Sequence, residues 1–124
     1  MRSFLKQVRG VLTFGVLTIN TVVWFVPVMT LGVLKLLLPV TVLRRVLTRW
    51  LMWCAENWIA VNGLTLQGSG SRNWRADGVE SLDRYGWYLV LANHQTRVDI
   101  VVMQVALNRR IPLLKFFIKQ QLIW

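Results

Sequence analysis

The stretch Tyr88-Leu89-Val90-Leu91-Ala92-Asn93-His94-Gln95-Thr96-Arg97-Val98-Asp99-Ile100-Val101-Val102-Met103 decides how this chain is read. An apolar run delivers the only histidine to a polar turn, and an aspartate opens a second apolar run. The first run reads as a strand, best drawn over Tyr85–Leu91. The second reads as a helix over Asp99–Asn108, with Ile100, Met103 and Leu107 on one face. His94 and Asp99 are five apart. On a continuous helix that spacing separates them by about 140° around the axis. On a continuous strand it puts them on opposite faces. The two side chains meet only if the backbone bends between them, as a strand–turn–helix corner does. A histidine held by a carboxylate at such a corner is a general-base arrangement, with His94 and Asp99 as the catalytic candidates. Thr96 and Arg97, inside the turn, are weaker candidates for contacting a substrate, against the plainer reading of solvated turn residues.

Upstream, no charged residue occurs from Gly10 through Leu34. A membrane-spanning helix needs about 20 such residues, whereas the apolar core of a signal peptide has only about 7–15 and precedes a small-residue cleavage site. No Ala-x-Ala follows, so the run reads as a retained anchor over roughly Val11–Leu38. Asn20 and Thr21 are its most polar interior residues, and Pro27 within it favours a kink. Both flanks are basic, so charge asymmetry gives no clean orientation. A tilted span and a re-entrant or interfacial hairpin both fit, and Pro27 with the symmetric flanks favours the hairpin. A second helix is expected from Thr41 to Val61, with Leu43, Val46, Leu47, Trp50, Leu51, Cys54 and Trp58 on its apolar face. Arg45, Arg49 and Glu56 lie on another. Its tryptophans and arginines suit a membrane interface. Asn62-Gly63 is read as its end, which divides the chain into an anchor over 1–61 and a second part over 62–124. In that second part Leu64–Gln67 reads as a short strand, Glu80–Leu82 as a turn and Leu113–Ile118 as a further strand. Gln120–Trp124 reads as the opening of another helix. The expected fold is therefore α/β, with membrane-associated helices followed by the first strands and helix of an incomplete α/β domain.

The chain carries 15 Lys+Arg against 5 Asp+Glu, a net charge of +10. Arg2, Lys6, Arg9, Lys35, Arg44, Arg45 and Arg49 flank apolar segments, which suits anionic lipid headgroups better than nucleic acid. Cys54 is the only cysteine, so no intrachain disulfide forms. One histidine, one cysteine and few carboxylates argue against a metal site.

Asn93-His94-x-x-x-x-Asp99 resembles the first motif of the glycerolipid acyltransferases, the 1-acylglycerol-3-phosphate O-acyltransferase family. The nearest likeness is to the bacterial inner-membrane branch, in which a segment like Lys115–Leu122 follows the motif. Thr96 stands where serine is usual, and Arg97 where an aromatic is common. The resemblance implies an α/β catalytic domain behind a membrane-embedded helix pair. It also implies transfer of a fatty acyl group from a thioester donor, acyl-CoA or acyl carrier protein, to a hydroxyl of a lysophospholipid. No cofactor is implied. His94 would take the hydroxyl proton, and Asp99 would fix the imidazole tautomer. The expected location is the bacterial inner membrane with the site facing the cytoplasm. The family's later arginine-bearing and Glu-Gly-Thr motifs do not occur before Trp124, so the chain reads as the N-terminal portion of such an enzyme, inactive by itself. The competing reading is a small non-catalytic membrane-anchored protein, or relic, whose His94 corner is structural. A basic nucleic-acid-binding module is the third.

Overall fold

A computed structural model of the chain describes residues 2–69, 75–93 and 97–115, with backbone alone at 2, 3 and 97. Three α-helices and a short 3-10 turn make up its regular structure. Helix α1 is Arg2–Leu37, α2 is Thr41–Gly68, the 3-10 turn is Val79–Ser81, and α3 is Arg97–Leu107. The basic lead is thus helical from Arg2, and Pro27 lies inside α1 without ending it.

Helices α1 and α2 form an antiparallel hairpin across the short connection around Pro39. Its register is set by polar side chains. The Asn20 amide donates to the Asn62 side-chain oxygen at 2.8 Å and to the Trp58 carbonyl at 3.1 Å. Trp58 Nε1 donates to Thr21 Oγ1 at 3.2 Å. Nearer the turn, the rings of Trp24 and Trp53 meet edge to face at 5.8 Å, and at the open end the Arg9 guanidinium reaches the Gly68 carbonyl. Asn20 and Asn62 are 8% and 4% exposed, the buried polar residues in an otherwise apolar seam with Leu47, Cys54 and Leu66. A buried amide without a partner costs about 1–3 kcal/mol. Asn62→Leu removes the shorter of the two bonds made by the Asn20 amide and is expected to weaken helix pairing by about 1–2 kcal/mol. The double variant Asn20→Leu/Asn62→Leu should recover most of that loss. Unfolding in detergent measures both, and a double variant no more stable than Asn62→Leu would refute a register-setting pair.

The α/β expectation is overturned: the structure is all-helical, with no strand among the described residues. Leu64–Gln67, whose four-residue alternation suits a strand or a helix, belongs to α2. Asn62-Gly63 does not end that helix. Gly63 is instead a packing glycine, for a Cβ there would lie 2.8 Å from Val105 Cγ1 on α3. Tyr85–Leu91 is not a strand either. A strand is stabilised by a neighbour, and no strand lies alongside this segment. Its side chains stand in solvent, with Trp87 fully exposed. Leu113–Lys115 is likewise irregular, and the rest of that expected strand and the expected Gln120–Trp124 helix lie outside the described residues. The helix read from Asp99 is present as α3.

Among the described residues none packs against the outer face of α1. Leu12, Phe14, Ile19, Val22, Val23, Phe25 and Val26 are all exposed. The accessible surface is 10404 Å² for a mass of 14.4 kDa, whereas a compact soluble chain of that mass exposes about 6,800 Å². An exposed apolar face of this extent marks a membrane or partner surface. Phe4–Leu37 is the one described helix long and apolar enough to cross a bilayer.

Candidate functional site at the amino end of α3

The corner expected at residues 88–99 is described on both sides of its turn. Leu91–Asn93 arrive exposed and without regular structure, and α3 begins at Arg97. Asp99 sits in the first turn of α3 and is half-buried, where a carboxylate suits the positive end of the helix dipole. Asn93 is irregular and the chain is helical from Arg97 onward. His94 and Thr96 themselves lie outside the described residues, as does the Arg97 side chain, so the His94–Asp99 pairing is not among the observed contacts.

What is observed is how α3 is held. Gly63 of α2 receives Val105, and at the far end the Asn108 amide donates to the Glu56 carbonyl at 3.0 Å. Residues 105 to 108 thus run against 63 to 56, and α3 is antiparallel to α2. Its amino end, with Asp99, points toward the C-terminal end of α2, where Arg9 meets Gly68.

Glu56 is the hub of this docking. Its side chain is 13% exposed and takes Arg84 at 2.9 Å and Arg109 at 3.6 Å on its two oxygens. Arg109 also donates to Asn57 Oδ1 at 3.2 Å. Arg109 occupies the left-handed region at φ 62°, a conformation unfavourable for a residue with a Cβ. It ends α3 there, with the Arg110 and Ile111 amides returning to the Leu107 carbonyl. Its guanidinium grip on α2 fixes this residue where a glycine would be the usual choice. Below it Trp58, Ile59, Leu107, Ile111 and Leu113 line a small apolar cleft between α2 and the end of α3.

Neither Glu56 nor Asn62 stood out as a site residue from the sequence. A signal was present for the first, since Glu56 is the lone acid among the first 76 residues of a strongly basic chain. No group of three metal-ligating side chains occurs among the described residues. No protein-family model, curated protein or solved structure matches this chain.

Proposed function

We propose that this chain carries the first catalytic motif of a membrane-bound O-acyltransferase, acting on a fatty acyl thioester and the free hydroxyl of a lysophospholipid at the cytoplasmic face of a bacterial inner membrane. One observation supports this reading above the others: the Asn93-His94-x-x-x-x-Asp99 motif straddles the point where irregular chain gives way to α3, on a helix docked to an apolar hairpin. His94 would remove the hydroxyl proton as the oxygen attacks the thioester carbonyl. The tetrahedral intermediate then expels the thiolate, and the imidazolium returns the proton to it. Asp99 would hold the imidazole. The test is acceptor-dependent thiol release from an acyl thioester, with 1-acylglycerol 3-phosphate as acceptor. The chain is assayed alone and joined to the remainder of a homologous acyltransferase domain. Joined, it is expected to turn over, and failure of a folded joined protein to do so would sink the reading. The second reading, a non-catalytic helical anchor, draws on the absence of any strand among the described residues. It gives no thiol release in either form.

The hairpin geometry bears on how the protein sits in the membrane. Glu56, Arg84 and Arg109 cluster level with the middle of the uncharged run of α1, as the pairings Asn20–Asn62 and Trp24–Trp53 fix the register. In a perpendicular span these three charges would lie near the bilayer midplane, where each costs about 2.5–3.5 kcal/mol or more. Helix α1, about 54 Å long at 1.5 Å per residue, also far exceeds the roughly 30 Å hydrocarbon core. Both considerations favour a hairpin lying along one leaflet, with the outer face of α1 embedded and α3 on the cytoplasmic side. In a Cys54→Ser background, cysteines at positions 3 and 81 should both label from the cytoplasmic side and neither from the periplasm. Labelling of one of them from the periplasm would establish a span instead.

A further inference from the structure

Three arginines at the turn end of the hairpin have no role in the acyl-transfer reading. Thr41, Arg44, Arg45, Thr48 and Arg49 form one open patch on the first three turns of α2. At 100° per residue they occupy an arc of about 140°. The three arginines are exposed, and no described carboxylate pairs with them. Of the chain's five acids none precedes Glu56, and Glu56 is taken by Arg84 and Arg109. Arg45 and Arg49, one turn apart, repel each other. Val40 supplies no side-chain cap to the first amides of α2, so the positive helix end adds to the same field.

The surroundings point to the partner. Leu36, Leu37 and Val40 are exposed just before this helix end, and Val42, Leu43 and Val46 are exposed on its other side. Trp50 packs edge to face on Trp53 at 5.8 Å, one turn further along. A basic face backed by an apolar face with tryptophans belongs at the boundary between acyl chains and headgroups. We propose that Arg44, Arg45 and Arg49, with the hydroxyl of Thr41, cradle the phosphate of an anionic phospholipid headgroup. The arginine forks take its oxygens in pairs. The cradle is separate from the Asp99 corner. Arg49 and Gly68 are about 28 Å apart along α2, and Asp99 lies toward the Gly68 end. The proposal rests on the membrane reading of the hairpin and is independent of the acyl-transfer chemistry.

The experiment is flotation of the full chain with phosphatidylcholine vesicles, with and without phosphatidylglycerol. The unaltered chain should bind both and prefer the anionic ones. The variant R44Q/R45Q/R49Q should lose that preference by roughly a hundredfold, at about a factor of five per basic residue, while still binding neutral vesicles through α1. R44K/R45K/R49K keeps the charge and loses the fork, and should fall at least about tenfold short of the unaltered chain. Helical content by circular dichroism controls for folding. A lysine variant equal to the unaltered chain would overturn the cradle in favour of diffuse charge. So would an equal loss per charge in R2Q/K6Q. Release by inorganic phosphate at matched ionic strength would show a site for free phosphate and overturn the lipid as partner. Tighter binding to an oligonucleotide than to anionic vesicles would overturn the lipid as partner. Failure of the unaltered chain to bind any vesicle would instead refute the membrane reading.

Discussion

His94→Ala, in the chain joined to the remainder of an acyltransferase domain, is expected to lower acyl transfer by at least a hundredfold to ten-thousandfold. That is the usual contribution of a positioned base. The side chain is the only imidazole in the protein, so no neighbouring histidine can take over. Asp99→Asn should lose much of the rate, because an amide neither selects the same tautomer nor stabilises the imidazolium that forms. Its effect should fall on kcat more than on KM, since Asp99 is cast as a positioning residue. Arg97→Trp should change acceptor or acyl preference more than the chemical step. The measurement is thiol release against acceptor concentration for each variant. Full activity of the His94→Ala protein would remove the general-base assignment, and robust activity of the unextended chain would show that the later motifs are dispensable.

Glu56→Lys is expected to have the largest effect on stability. In place of a shielded carboxylate between two guanidinium groups it sets three cations together, on the face where α3 docks. Arg84 and Arg109 are about half exposed, so part of the repulsion is screened and both can swing toward water. Even so, the change removes one charge-assisted hydrogen bond and one ion pair and adds a like charge in a confined place. A loss of about 3 kcal/mol is expected, enough to undock α3. Glu56→Gln keeps the shape and should cost about 1–2 kcal/mol. Amide hydrogen exchange over residues 97–109 reads the undocking directly, while protection of the α1–α2 seam around Asn62 should persist. If Glu56→Lys left exchange in α3 unchanged, the hub would have no energetic weight. The positive φ of Arg109 would then lack the restraint ascribed to it.

The helices were legible and the sheet was not, for one physical reason. Helical structure is closed within a segment, so the uncharged run Gly10–Leu34, the face from Leu43 to Trp58 and the periodicity after Asp99 each announce themselves. A strand is defined by a neighbour, and nothing in Tyr85–Leu91 states whether one exists. The four residues Leu64–Gln67 were too few to separate a period of two from one of 3.6. Asn62-Gly63 looked like a stop because both residues commonly end helices. Their actual duties, an amide for Asn20 and room for Val105, depend on partners 42 residues away in each case, which no local pattern encodes. At the candidate site the helix and the carboxylate in its first turn were legible. Glu56 was not, as its two arginines come from 28 and 53 positions downstream.

The Asn20–Asn62 pair also orders events during synthesis. Asn62 is made 42 residues after Asn20, a delay of about 2–8 s at typical elongation rates of about 5–20 residues per second. Throughout that interval α1 exists with its amide unanswered. The helix can reach a bilayer and sink its apolar side into it, but it cannot settle in rotation or depth. Only the arrival of α2 fixes which face turns toward its partner and which toward lipid. On the membrane reading of the hairpin, the nascent protein would be captured by the bilayer first and acquire a defined posture there later, with the Asn20–Asn62 pair as the latch.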